Sequence, residues 1–162
     1  MELLDSGVLS PADIEANLSD LARLNRFLPG GTRASIAAIR RLLGTRRAAS
    51  ILDAGTGAGD MPIAFARAGW RTTAVDINPE VLSVAERRTA RRAGIEIASA
   101  DARALPFADA AFDVAHGSLL VHHLDPADAV VALRELARVS RLGVVINDLR
   151  RGPLPLAATW LS

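Results

Sequence analysis

A glycine-rich turn between two apolar runs, followed by an acidic residue, is the feature that most constrains how this chain folds. The turn lies within residues 51–60, ILDAGTGAGD, where glycine recurs at every second position. The apolar run before it is typical of a buried parallel strand, and glycines let the backbone approach a ligand that a Cβ would obstruct. Asp76 closes the next apolar run, 21 residues after Gly55, where a doubly wound sheet presents a carboxylate to ribose hydroxyls. The two features together predict a site for a nucleotide-like cofactor.

The spacing of these glycines distinguishes between two kinds of cofactor. A dinucleotide-binding turn is expected to read G-x-G-x-x-G, and Asp60 occupies the position of its third glycine here. The turn instead resembles the first motif of the class I S-adenosylmethionine-dependent methyltransferases, in which an acidic residue and one spacer precede G-x-G-x-G. Asp53, Gly55, Gly57 and Gly59 match that motif. The resemblance implies a Rossmann-like α/β fold with S-adenosylmethionine as the cofactor.

The amino-acid composition excludes several classes of enzyme. The 162 residues contain no cysteine and no tyrosine, and all 19 basic residues are arginine. A P-loop kinase and a Schiff-base enzyme each need a lysine, and a short-chain dehydrogenase of the Tyr/Lys type needs a tyrosine and a lysine. The composition excludes all three. The missing cysteines exclude disulfides, a thiolate nucleophile and a cysteine-ligated metal, in agreement with a reducing, cytoplasmic location.

Charge and hydropathy restrict the partners. The formal net charge is +1, which provides no global field for attracting nucleic acid, so no nucleic-acid partner is expected. No apolar run approaches the roughly 18 residues needed to span a bilayer, and the N-terminus lacks the basic-then-apolar order of a signal peptide. We therefore expect a cytoplasmic protein without a membrane span.

From Ser50 onward the chain alternates between strand patterns and helix patterns. The predicted strands are 50–54, 72–76, 95–98, 112–116 and 142–147, and the predicted helices are 59–68, 79–92 and 126–140. This alternation predicts an α/β fold, a doubly wound parallel sheet with helices on both faces and strand order 3-2-1-4-5.

Two helices are predicted before the glycine-rich turn. The first starts at Ser10-Pro11 and ends near Pro29, and the second is capped by Thr32 and terminated by Gly44. In methyltransferases of the type that this chain resembles, such an N-terminal helical extension often covers the substrate. The two helices are therefore either a lid or a packing pair.

A single domain is expected over residues 1–162, and the resemblance covers roughly residues 46–150. Its parts are a helical cap (1–44), a cofactor-binding core (45–150) and a truncated terminal helix (151–162). A complete sheet of the family adds strands 6 and 7 as an antiparallel hairpin, which are missing from this sequence. Strand five is then expected to be an exposed edge, and the chain is expected to be either a homodimer or an aggregation-prone, weakly active fragment.

The resemblance assigns cofactor-binding roles to residues that follow the predicted strands. Asp76 is expected to accept both ribose hydroxyls, Asp101 to accept the adenine amino group and Ala102 to donate its backbone N–H to the ring. Asp53 is expected to brace the glycine turn by accepting backbone N–H bonds and to reach the ammonium group of the cofactor through water. The expected cofactor-binding residues are Asp53, Gly55, Thr56, Gly57, Gly59, Asp76, Ile77, Asp101, Ala102 and Ser118.

Residues 112–124 resemble the fourth-strand motif of small-molecule methyltransferases, among them quinone C-methyltransferases and natural-product O-methyltransferases. His122 and His123 are the candidate catalytic residues, because either imidazole could deprotonate or polarise a phenol. The alternative is that one histidine packs and the other caps the helix beginning at Asp125. A third ligand with suitable spacing is not evident, so no metal site is expected.

The sequence therefore predicts methyl transfer from S-adenosylmethionine to a small molecule, by family analogy an aromatic, quinone or polyketide-like compound. Asn147, Asp148 and Arg150 follow strand five and either contact the acceptor's oxygens or serve as capping and solvated residues. Two other functions remain open. One is a non-catalytic cofactor-binding remnant with an assembly or regulatory role. The other is a nicotinamide-dependent oxidoreductase, which Asp60 and the missing tyrosine and lysine disfavour.

Overall fold

The computed structural model describes residues 31–148. The predicted first helix, Arg150 and the segment 151–162 lie outside the described residues. In chain order the elements are α1 (Thr32–Leu43), β1 (Ser50–Ala54), α2 (Asp60–Arg67), β2 (Arg71–Asp76), α3 (Pro79–Thr89), β3 (Ile95–Ser99), β4 (Phe112–Ser118), a short 3₁₀ helix (Val121–His123), α4 (Pro126–Val139) and β5 (Ser140–Asn147).

The five strands form one parallel sheet in the order β3-β2-β1-β4-β5, which confirms the predicted topology. Successive residues of the central strand β1 are buried on opposite faces of the sheet. Ile51 packs in a cluster with Phe65 of α2, whereas Leu52 packs in a cluster with Leu136 of α4. Because helices cover both faces, Ile51, Leu52 and Ala54 each meet an apolar layer, and this explains why apolar residues are consecutive in this strand.

Element boundaries differ from the predictions at a few ends. α3 stops at Thr89, earlier than the predicted end at 92. β4 continues past 116 to Ser118, so the strand itself includes Gly117 and Ser118. α4 ends at Val139, and β5 follows at once because the backbone of Ser140 is already extended, with φ −103° and ψ 140°.

Helix α1, the second of the two predicted N-terminal helices, packs on the sheet. Ile39 and Leu43 lie in the same buried cluster as the β1 and α2 side chains. The prediction that Thr32 caps this helix is wrong, because Thr32 is already part of the helix. Gly31 holds the N-cap position, and no side chain caps the helix there. Gly44 terminates the helix as predicted, with φ 59°.

A polar connection joins the amino ends of β1 and β4, and we call it the Ser50–Asp113 tie. Asp113 Oδ2 accepts hydrogen bonds from the backbone N–H of Ser50 at 2.9 Å and from its hydroxyl at 3.1 Å. Arg141 of β5 donates to Asp113 Oδ1 at 3.1 Å. Burial acts to raise the pKa of Asp113, but the hydrogen bonds from Ser50 and the charge of Arg141 outweigh burial and hold that pKa below its ordinary value.

Replacing Asp113 by asparagine is expected to lower the free energy of unfolding by about 1–3 kcal/mol at pH 7, because a charged hydrogen-bond acceptor is lost. The folded-state pKa lies below the unfolded one, so the stabilisation is fully present above about pH 4 and is lost as the pH falls through the lowered pKa. Urea denaturation at pH 7 and pH 3 measures both effects. Equal stabilities of the two proteins at pH 7 would contradict the tie.

Candidate functional site

A pocket of about 280 Å³ opens at the carboxyl edge of the sheet. Ligands bind at this edge in open α/β sheets because the loops that follow the strands converge there. The loops after β1, β2, β3 and β4 and the first turn of α4 form its walls, and α1 contributes none of the lining residues. The lining residues are Gly55, Asp76, Ile77, Ala100, Asp101, Ala102, Arg103, Leu120, His123, Leu124, Asp125 and Asp128.

The glycine turn after β1 requires its glycines for two reasons. Gly55 has φ 66° and Gly59 has φ 79°, a region of backbone conformation that strains residues with a Cβ. A Cβ on Gly55 would also lie 2.9 Å from Cδ1 of Leu120, another lining residue of the pocket. The backbone of Gly55 is therefore presented directly to the pocket.

Asp76 lies at the end of β2 and connects the neighbouring loops. Its Oδ2 accepts the backbone N–H of Gly57 at 3.1 Å, and its Oδ1 accepts that of Asn78 at 3.1 Å. A carboxylate has about four acceptor positions, so each oxygen keeps capacity for one more donor. Asp76 lines the pocket, and two adjacent hydroxyl groups could therefore bind its two oxygens.

Asp53 differs from its expected role. Its side chain is buried, with the residue 1% exposed, and it does not line the pocket. The hydroxyl of Thr56 donates to Asp53 Oδ2 at 2.7 Å, and Nδ1 of His116 lies 2.6 Å from Asp53 Oδ1. Asp53 thus braces the turn through a side chain instead of backbone N–H groups. His116 pairs with Asp53 across the β1–β4 register, and the water-mediated path from Asp53 to a cofactor ammonium stays a prediction.

Asp101 follows β3 and binds Arg103, a residue that the sequence analysis did not select. The guanidinium and backbone N–H of Arg103 donate to both oxygens of Asp101 at 2.7–3.0 Å. The same side chain donates to Asp128 of α4 at 2.6 Å. The hydrogen bonds from Arg103 outweigh partial burial and hold the pKa of Asp101 below its ordinary value. Any adenine contact of Asp101 must therefore share this carboxylate with Arg103.

The pocket brings together half of the expected cofactor-binding set, namely Gly55, Asp76, Ile77, Asp101 and Ala102. The remaining members apart from Asp53 are not lining residues, and these are Thr56, Gly57, Gly59 and Ser118. Thr56 lies between two glycines of the turn, its N–H donates to the carbonyl of Val75 at 3.0 Å, and Gly59 donates to the Thr56 carbonyl at 3.1 Å. Ser118 is the buried last residue of β4.

The two candidate catalytic histidines lie on the 3₁₀ helix after β4. Nδ1 of His122 lies 2.7 Å from Oδ1 of Asp148, and Oδ2 of Asp148 accepts the backbone N–H of Val121 at 2.6 Å. Asp148 therefore caps this turn, one of the two roles that the sequence left open. The ring of His123 lies 4.0 Å from that of His122, measured between centroids, and His123 lines the pocket.

Sequence reasoning missed His116, whose side chain is completely buried. It lies in β4 between apolar neighbours, where a strand pattern treats it as one more inward-facing position. Its partners Asp53 and Ser35 are 63 and 81 residues away along the chain. No local signal could have revealed these contacts.

Within residues 31–148, no cluster of three or more His, Cys, Asp or Glu side chains is placed to hold a metal ion. In the same part of the chain, no helix has the length and apolar character to cross a membrane.

Comparison with known proteins identifies the family. Residues 51–143, more than half of the chain, match the family described as a methyltransferase domain. The chain belongs to this methyltransferase domain family, of the class I type that uses S-adenosylmethionine as its cofactor. The pocket at the carboxyl edge of the sheet is thus the candidate site for that cofactor.

Two curated relatives and one solved structure illustrate the range of similar proteins. Malonyl-[acyl-carrier protein] O-methyltransferase of Pseudescherichia vulneris is 40% identical over 121 residues, 73% of this chain and 46% of that protein. Demethylmenaquinone methyltransferase of Thermobifida fusca is 35% identical over 147 residues, 82% of this chain and 58% of that protein. The crystal structure of a SAM-dependent methyltransferase from Methanosarcina mazei has TM-score 0.58 and 28% identity, covering 64% of this chain and 52% of that one. The chain spans about half the length of these relatives.

Proposed function

We propose that this chain binds S-adenosylmethionine in the pocket and transfers its methyl group to a small acceptor of the aromatic, quinone or polyketide-like class. The two relatives above are named for different acceptors, a malonyl group on an acyl-carrier protein and demethylmenaquinone. Their names support a small-molecule acceptor and favour no single compound.

The acidity of the pocket is the observation that carries the proposal. Four of its lining residues are aspartates (Asp76, Asp101, Asp125 and Asp128), and Arg103 is its one lining arginine. S-adenosylmethionine carries a sulfonium and an ammonium group, and both are attracted by this surplus of carboxylates. A nicotinamide dinucleotide carries an anionic pyrophosphate, which the same carboxylates repel. The pocket charge therefore supports the sulfonium cofactor over the oxidoreductase alternative.

The protein has to contribute little to the chemical step itself. The bound cofactor supplies a methyl group that its sulfonium already activates, so the chain has to hold the acceptor in line and exclude water. Acceptors with a weakly acidic hydroxyl also need a base. His122 suits that role, because donation of its Nδ1–H to Asp148 makes Nε2 the basic nitrogen. In this arrangement His122 is the catalytic residue and Asp148 is a positioning residue.

Calorimetry and a methyl-transfer screen test the proposal. We expect titration with S-adenosylmethionine and with its demethylated product to release binding heat, and titration with NADH to release none. Transfer of a labelled methyl group to a panel of phenols, quinones and polyketide-like compounds then separates an enzyme from a non-catalytic remnant. Preference for NADH would remove the cofactor proposal. Binding without transfer to any compound, or transfer only to protein or RNA, would contradict the acceptor class.

We also expect the 162-residue chain to associate, either as a homodimer or as an aggregation-prone, weakly active fragment. Among the described residues, β5 has a neighbouring strand on one side only, and Ile146 on it is 37% exposed. An apolar edge strand presents backbone groups that can pair with a second chain. Light scattering over a concentration series measures the mass directly. A monomer at every concentration would contradict this expectation.

A further inference from the structure

A chain of four buried polar side chains runs from α1 to the glycine turn. Oγ of Ser35 on α1 lies 3.0 Å from Nε2 of His116, and Nδ1 of His116 lies 2.6 Å from Oδ1 of Asp53. The hydroxyl of Thr56 closes the chain by donating to Asp53 Oδ2 at 2.7 Å. Ser35, His116 and Asp53 are at most 1% exposed, so none of these three side chains can touch a ligand in the pocket.

The hydrogen-bonding capacities of these groups determine which atom donates and which accepts at each hydrogen bond of the series. An ionised Asp53 only accepts, so it takes the hydroxyl proton of Thr56 on one oxygen and Nδ1–H of His116 on the other. The Nε2 of His116 is then the acceptor for the hydroxyl of Ser35. Every polar atom named here has a partner, which buried polar groups require. The ring of Phe65 packs edge-on against His116, with centroids 5.1 Å apart, and limits its movement.

Thr56, at one end of this hydrogen-bonded series, adjoins the pocket. Thr56 stands between Gly55, which lines the pocket, and Gly57, whose N–H donates to Asp76. Fixing the side chain of Thr56 therefore fixes the backbone on both sides of it. Ser35 stands at the other end of the series and lies with Ile39 on the buried face of α1.

We propose that His116 is a positioning residue for the cofactor turn and that Ser35 makes the conformation of this turn depend on the docking of α1. The proposal rests on the proposed function, because it assigns the turn to cofactor binding. The pre-arranged turn lowers the ordering cost of ligand binding, and loosening it weakens binding without removing any ligand contact.

Two variants and one matched control test the proposal. Ser35→Ala removes the link to α1, and His116→Asn keeps a donor towards Asp53 while removing the acceptor for Ser35. Asp113→Asn is the control, because the Ser50–Asp113 tie joins the same two strands at their opposite ends. We expect both variants to raise the dissociation constant for S-adenosylmethionine roughly 2- to 30-fold, the range for residues that act through others. The control should lower the melting temperature while its dissociation constant stays within about twofold of wild type.

Two further measurements need no ligand, so they remain informative if the chain does not bind S-adenosylmethionine. Long-range ¹H–¹⁵N spectra are expected to show His116 as the Nδ1–H tautomer. Amide exchange of Gly57 and Gly59 is expected to accelerate in Ser35→Ala and to stay unchanged in the control. Should His116→Asn fail to fold, Ser35→Ala alone decides the outcome. Unchanged glycine exchange in Ser35→Ala, an Nε2–H tautomer, or an affinity loss equal to that of the control would overturn the proposal.

Discussion

Replacing His122 by alanine is expected to lower the turnover number for methyl transfer by about 10²–10⁴-fold, the contribution of a positioned general base. The affinity for S-adenosylmethionine should hold, because His122 does not line the pocket. The measurement is the initial rate at saturating cofactor with the best acceptor from the screen. The effect should shrink at high pH, where an acceptor hydroxyl ionises in solution.

Two companion variants sharpen this test. Asp148→Asn keeps a side chain of the same size at the 3₁₀ turn but replaces the carboxylate that faces Nδ1 of His122. It should lower turnover by less than His122→Ala and should shift the pH profile. His123→Ala removes the stacked neighbour and should have the smaller effect of the two histidine variants. Full activity in both histidine variants would leave positioning of the acceptor as the only contribution of the protein.

Replacing Asp76 by alanine is expected to weaken S-adenosylmethionine binding by about 1.5–3 kcal/mol, the range for hydrogen bonds to a charged group. This corresponds to a roughly 10- to 150-fold higher dissociation constant in calorimetry. The physical reason is the spare acceptor capacity of both carboxylate oxygens at the end of β2. Asp113→Asn again serves as the control, because it lies at the amino ends of the strands, away from the pocket. Unchanged affinity in Asp76→Ala would remove the ribose assignment.

Much of the fold could be predicted because its signals are local. The apolar strand, the three glycines and the acidic residue of the turn all lie within residues 51–60. Asn78 and Pro79 likewise mark the start of α3, and the Asn78 side chain accepts the backbone N–H groups of Glu80 and Val81. Alternation of strand and helix then leaves few topologies for a parallel sheet.

The hydrogen bonds that hold the site residues in place could not be predicted, because they join residues that are far apart in the sequence. Arg103 reaches Asp128, 25 residues further along the chain, and so changes the surroundings of Asp101. The partners of Asp53 were hidden for the same reason, since its carboxylate binds the side chain of His116, 63 residues away. A periodic pattern reports which face of an element is buried, but it does not report which polar side chain lies opposite.

The two polar connections between β1 and β4 also select the alignment of these strands. Ser50 to Asp113 and Asp53 to His116 both span 63 residues, so one alignment satisfies both pairs. A slip by one residue would turn the apolar side chains to the wrong face, but a slip by two would keep every side chain on its face. Apolar packing alone discriminates weakly against the second error. In that misaligned sheet Asp53 would lose His116 and Asp113 would lose Ser50, so these two pairs favour the observed alignment over the slipped one.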